Sequence, residues 1–181
     1  ISHTTGSGSD RLMMVAVSTR DVAVTGITYN GTPLTLLGSS LNNNNGRGRV
    51  YIYYLINPTA VTANVIVTYG SAVTNGTTVG VMTFNGVNQT TPLNTFTKGQ
   101  GTGTNATLSG IPSNPSQLIF SAISTRNRAV TAFGTDQTQH WNAFPGSKSA
   151  GAGSTKWGST PTSSVAYTTG GNEYAIAAVS I

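Results

Sequence analysis

Apolar residues in this chain gather into short runs rich in Val, Ile and Tyr, broken at intervals by Gly, Asn, Ser and Pro. Such runs predict β-strands, because β-branched and aromatic side chains fit a pleated surface. Ile1, Ser2, His3, Thr4 and Thr5 read as a short first strand, followed by the flexible stretch 6–10 (GSGSD). Residues 11–18 (RLMMVAVS) form an apolar strand. Residues 24–29 and 32–37 pair as a hairpin across Asn30-Gly31, the dipeptide that best tolerates the positive φ angles of a type I′ turn. Residues 41–48 (LNNNNGRG) are an exposed loop, and 50–56 (VYIYYLI) a strand stopped by Asn57-Pro58, since proline lacks a ladder donor.

Further strands are expected at 64–69 and 79–84. The stretch 89–103 is weakly patterned, with 99–103 read as plain turns, 106–108 as a short strand and 112–115 as a bend. Residues 117–124 (QLIFSAIS) form a core strand. Residues 129–133 and 138–143 are expected to pair around 134–137, and 144–154 to be a Gly/Ala/Ser-rich loop. Segments 155–158 and 165–168 are edge candidates, and 174–181 (YAIAAVSI) is apolar to its last residue. No segment keeps apolar positions at helical spacing over three turns. About a dozen short strands with turn signals at this spacing predict an all-β fold, a two-sheet β-sandwich of jelly-roll type, in a single domain over 1–181. Residues 16–25 (AVSTRDVAVT) echo 122–131 (AISTRNRAVT). Either two strand-to-loop corners share one solution in related halves, or a ligand site built on Arg20 and Arg126 is duplicated.

Composition narrows the function. Charged residues are 7% of the chain, against roughly a quarter in an ordinary soluble domain, so Thr, Ser, Asn and Gly must carry solubility. Such surfaces point to a secreted, extracellular or cell-surface protein. The net charge of +5 reflects few acids, and the scattered Arg and Lys lack the dense basic face with interleaved aromatics that nucleic acid requires. No apolar stretch reaches the ~20 residues of a helical membrane span. No secretory leader opens the chain, which begins within a strand; a removed leader and missing upstream sequence both fit. With no Cys, thiolate catalysis and Cys-ligated metal are excluded.

Catalysis needs titratable groups held together. The acids are Asp10, Asp21, Asp136 and Glu173, and the histidines His3 and His140. Asp136 and His140 lie near each other in sequence, but solvated surface residues account for them, and neither a nucleophile elbow nor a phosphate loop is present. No catalytic residue, metal ligand or cofactor is assigned. Trp141, Trp157, His140 and Tyr167 are carbohydrate-contact candidates, because an indole stacks on the apolar face of a sugar ring; the competing role is core packing. Asn30, Asn75, Asn88 and Asn105 head N-x-S/T triplets in or beside predicted turns and are glycan-attachment candidates.

The segments 2–18, 27–31, 50–58 (VYIYYLINP) and 84–93 (FNGVNQTTPL), with 139–142 (QHWN) and the final strand, resemble in order a β-sandwich module of bacterial and archaeal extracellular, adhesin-like surface proteins and phage structural proteins. Asn88 stands where that pattern commonly has an acidic residue. The resemblance implies a structural or adhesive role with no catalytic motif. Together with the residues 1–5 and their Gly/Ser hinge, it predicts a filament subunit that self-associates into a homopolymer by β-strand addition, the strand of Ile1 to Thr5 completing a neighbour's sheet. The alternative is a carbohydrate-binding module, with carbohydrate as partner.

Overall fold

The computed structural model describes residues 1–44 and 46–181; Asn45, in the predicted loop 41–48, lies outside them. Among these residues the chain forms strands and one short 3-10 turn at Pro145–Ser147, with no α-helix. The strands are β1 (Ser2–Thr4), β2 (Leu12–Thr19), β3 (Val24–Tyr29), β4 (Thr32–Pro33), β5 (Thr35–Leu41), β6 (Arg49–Ile56) and β7 (Thr62–Tyr69). They continue with β8 (Thr77–Phe84), β9 (Thr97–Pro112), β10 (Leu118–Arg126), β11 (Val130–Phe133), β12 (Thr138–Ala143), β13 (Ser149–Trp157) and β14 (Thr162–Ser180).

They build three antiparallel sheets, ordered β1-β7-β3-β4, β5-β6-β2-β8 and β11-β14-β10-β13-β12, with β9 also paired to β14. The expected all-β sandwich architecture is present, with three sheets where two were expected. One apolar cluster joins the first two sheets through Met13, Val15, Val17, Ile27, Tyr29 and Val65. A second joins the other face of β2 to the third sheet, through Leu12, Met14, Ala16, Phe120, Ala122 and Ala177. Alternate residues of β2 therefore enter two different cores, and the whole strand is buried. That is why it reads as a continuous apolar run, since a strand covered on both faces has no solvent side to make polar.

The third sheet folds over itself. The ribbon β9/β14 shifts register between Thr168 and Asn172, where Gly103 and Gly171 adopt φ of 128° and 82°. Beyond this bend Ala106, Leu108, Val165 and Tyr167 lie back over Ile119, Ile123 and Ile176 to close a third core. Glycine supplies the backbone freedom the bend needs.

The sequence echo is a structural one. β2 sits between β6 and β8, and β10 between β13 and β14; β3 pairs with β7, as β11 pairs with the first part of β14. β1 pairs with β7, as the second part of β9 pairs with that same part of β14. Both corners use the same bond, Thr19 Oγ1 to Val22 O at 2.7 Å and its counterpart Thr125 Oγ1 to Arg128 O. The two halves also clasp each other: Ser18 Oγ donates to Ile123 O at 2.9 Å and Ser124 Oγ to Thr19 O at 3.0 Å.

Four expectations are corrected. The Gly-rich residues 99–103 are part of β9, because glycine there gives room to neighbouring side chains: a Cβ on Gly101 would lie 2.6 Å from the Tyr174 hydroxyl. Residues 144–154 are not one loop, since β13 is a buried inner strand of the third sheet. β11 and β12 do not pair with each other but with β14 and β13. The Asn30-Gly31 turn forms, with φ of 48° and 79°, yet only Thr32, Pro33 and the Leu34 amide, which donates to Ile27 O at 2.9 Å, pair back before the chain crosses to β5 in another sheet.

Small residues let the second and third sheets approach. The Trp141 ring lies over Gly80 and Gly153, and a Cβ on either would overlap it. We expect Gly153→Ala to destabilise the fold by about 1–3 kcal/mol through overpacking, read as a lower midpoint in chemical denaturation with an unchanged slope.

Candidate functional site

A groove of about 550 Å3 opens at one end of the stack, between the loop after β8, the β9–β10 connection and the end of β13. Its apolar floor includes Phe84, Leu118 and Ile181, and its rim carries the amides of Asn88, Asn114 and Gln117. Trp157 stands at the rim, 66% exposed. The indole ends β13, where it is paired with Leu118 across the ladder. Asn88 Oδ1 accepts the Thr90 and Thr91 amides at 2.9 and 3.0 Å, and Asn114 Oδ1 accepts the Ser116 amide at 2.9 Å. These bonds fix each carboxamide by its oxygen while its NH2 group is a potential donor toward a ligand.

The other carbohydrate candidates lie elsewhere. Trp141 is half-buried and packs on Phe120, ring centroids 5.8 Å apart. Tyr167 is 1% exposed, and its hydroxyl meets Ser121 Oγ at 2.7 Å and Ser154 Oγ at 3.0 Å. Burial pushes the Tyr167 phenol up to about 12, more than the two serine bonds lower it. It offers no surface to a sugar. His140 is on β12, with Nε2 2.7 Å from Thr155 Oγ1. The predicted aromatic cluster is thus not assembled; Trp157 alone of the four faces the groove. The convergence of the groove amides carries no sequence signal, because it is made by two connections far apart in the chain, β8–β9 and β9–β10.

Asn30 and Asn88 are exposed at turns. Asn75 lies between β7 and β8 and donates its amide to Asp21 Oδ2 at 2.7 Å. Asn105 is exposed but sits within β9, opposite Thr168, not in a turn. The echoed arginines take different partners: Arg20 donates to Asn127 Oδ1 at 3.0 Å, and Arg126 pairs with the buried Glu173 at 2.6 Å. They belong to two neighbouring corners of the clasp between halves, not to two copies of one site.

The strand of Ile1 to Thr5 is placed on its own chain. Ser2, His3 and Thr4 face Asn64, Ala63 and Thr62 of β7, the Val65 amide donates to Ile1 O, and the Thr5 amide to Val61 O. His3 Nε2 reaches Thr83 Oγ1 of β8 at 2.8 Å, and the ring meets Tyr29 edge-on.

Comparison with protein-family models, curated proteins and solved structures finds no match to this chain. The class defined is an all-β, sandwich-like protein.

Burial holds both His3 and His140 below the ordinary value of 6.5. The fold thus favours their neutral forms, and the unfolded chain takes up protons first as pH falls. This contribution to stability is complete above 6.5 and is lost as pH drops through the lowered folded values. We expect the melting temperature to fall between about pH 7 and 5, and the fall to be shallower in the His3→Gln/His140→Gln variant.

Proposed function

We propose that this chain is a non-enzymatic structural module of an extracellular assembly, joining neighbours by β-strand addition. The observation that carries this reading is β1: three residues on the edge of a sheet, followed by the Gly/Ser stretch 6–10, which has no regular structure. A Cβ on Gly6 would meet nothing within 4 Å, so the hinge position is sterically open. Exchange of residues 1–5 onto β7 of a neighbouring copy would remake the bonds they form within one chain, making it a low-cost route to association. Repeated head to tail, that contact gives a fibre. The low-charge surface and the resemblance to extracellular adhesin-like and phage structural modules support the setting.

Deleting residues 1–8 should abolish polymers seen by negative-stain electron microscopy while the β-rich circular dichroism spectrum persists. Polymers of undiminished length from the truncated chain would refute strand exchange.

The groove beside Trp157 favours a second reading, a carbohydrate-binding module. An exposed indole next to amide donors suits a sugar ring with its apolar face stacked and its hydroxyls bonded. On this reading, binding on a glycan array is lost in Trp157→Ala, by about tenfold or more, and is unchanged in His140→Ala.

A further inference from the structure

We propose that the end of the stack opposite the groove is a docking surface for a linear polyanion that carries sulfate or phosphate groups. β8 and β13 run toward the groove and β10 runs away from it, so Thr77, Arg126 and Ser149 mark this opposite end. The surface is independent of strand exchange at β1 and of the site beside Trp157.

The basic residues are dispersed in sequence, and the fold gathers them. The Gly48 amide donates to Arg20 O at 2.7 Å, which brings Arg47 and Arg49 beside the β2–β3 corner. Arg20 Nη1 donates to Asn127 Oδ1 at 3.0 Å, and Asn127 stands between Arg126 and Arg128 in the β10–β11 corner. The Asn127 amide in turn donates to Lys148 O at 3.1 Å, at the start of β13. These bonds tie six of the nine Lys and Arg residues of the chain into one cluster. Two of the four acids share this end: Glu173 pairs with Arg126 at 2.6 Å, and Asp21 accepts the Asn75 amide at 2.7 Å. Arg11, Lys98 and Lys156 lie elsewhere with Asp10 and Asp136, so four of the five net positive charges sit here.

The cluster has donors to spare. Among the described residues, the Nε atoms of Arg20, Arg49 and Arg126 have no hydrogen-bond partner, and Arg128 and Lys148 are exposed. The Arg128 stem packs over Gly170, where a Cβ would lie 2.9 Å from its Cδ, so the stem is supported while the side chain stays at the surface. Every cation of the cluster except Lys148 is Arg, whose planar fork matches the paired oxygens of sulfate or phosphate.

A second copy does not fit this surface, because a chain with four acids, one of them buried against Arg126, has no complementary patch to offer. A single nucleic-acid strand is held by rows of aromatic side chains on which its bases stack. Here the most exposed aromatic, Trp157, is at the other end, and among the described residues Phe144 is the one exposed ring near the cluster. A flexible polyanion needs only the concentrated field and the spaced cations.

Calorimetric titration of the full chain with dextran sulfate, sodium polyphosphate and neutral dextran tests this. At least one polyanion should bind and neutral dextran should not, and the tighter of the two identifies sulfate or phosphate as the preferred group. Affinity should fall by at least about thirtyfold between roughly 50 and 200 mM salt, as counterions are released. The Arg47→Gln/Arg128→Gln/Lys148→Gln variant, which removes no bond that holds the corners together, should keep its β-rich circular dichroism spectrum and bind at least about tenfold more weakly. The Lys98→Gln/Lys156→Gln variant should bind within about twofold of the parent. No binding to either polyanion at low salt, equal weakening in the two variants, or tighter binding of a single-stranded oligonucleotide than of both polyanions would overturn the proposal. Deletion of residues 1–8 and Trp157→Ala should each leave polyanion binding unchanged, so its failure is distinct from failure of strand exchange or of sugar binding.

Discussion

The structure depends on two strands, β2 and β10, each covered on both faces and packed toward one another across the middle of the molecule. Every side chain of β2 is buried, and all of β10 between its two end residues. A strand in that position has no solvent side, so polar atoms it carries must find partners inside. The serines show how this is met: Ser18 and Ser124, at matching places in the echo, each donate to a carbonyl of the opposite half. Within the second half, Ser121 and Ser154 bond to each other and to the Tyr167 hydroxyl in the outer core. A buried hydroxyl left without a partner costs on the order of 1–3 kcal/mol, so these bonds fix how the halves sit as well as that they meet.

Close approach of the inner sheets follows from the same constraint. The face of β13 that meets β2 presents glycine, with Ser18 and Thr78 occupying the space over Gly151 and the Trp141 ring that over Gly153, while Ala152 and Ser154 turn to the third core. This is why residues 144–154 look like a loop on paper: small residues are poor strand formers in isolation, and here they are selected by the thickness available between sheets. The same reasoning covers residues 99–103, whose glycines admit Leu108 and the Tyr174 ring. Runs with β-branched and aromatic residues, such as those of β2, β3, β6 and β10, were legible because propensity and burial agree there. Runs where packing space overrides propensity were not. Partner choice was equally hidden: β11 and β12 are adjacent in sequence, but the fold of the β9/β14 ribbon claims β11 for another layer.

The candidate functional surface was legible in part. Trp157 could be singled out because an indole is conspicuous in a chain of Thr, Ser and Asn, whereas Trp141 and Tyr167 could not be told from it without knowing what lies above them. The strand of residues 1–5 was visible through its Gly/Ser hinge. The place of β8 at the end of its sheet among the described residues was not, since a run such as TTVGVMTF reads alike in the centre of a sheet and at its border.

Duplication gives that border its meaning. Two halves built on one plan would be expected to close their sheets alike; residues 97–103 cover β14, and among the described residues β8 has no such partner. In the second half the strand over β14 runs without interruption into the strand equivalent to β1, so one ribbon seals two layers at once. In the first half β1 pairs with β7 through residues 2–4 and reaches β8 through the His3 side chain. Among the described residues β8 ends its sheet, held on one side by His3 of β1 and on the other by the Trp141 ring of β12, so the two halves meet different neighbours at matching places in the plan.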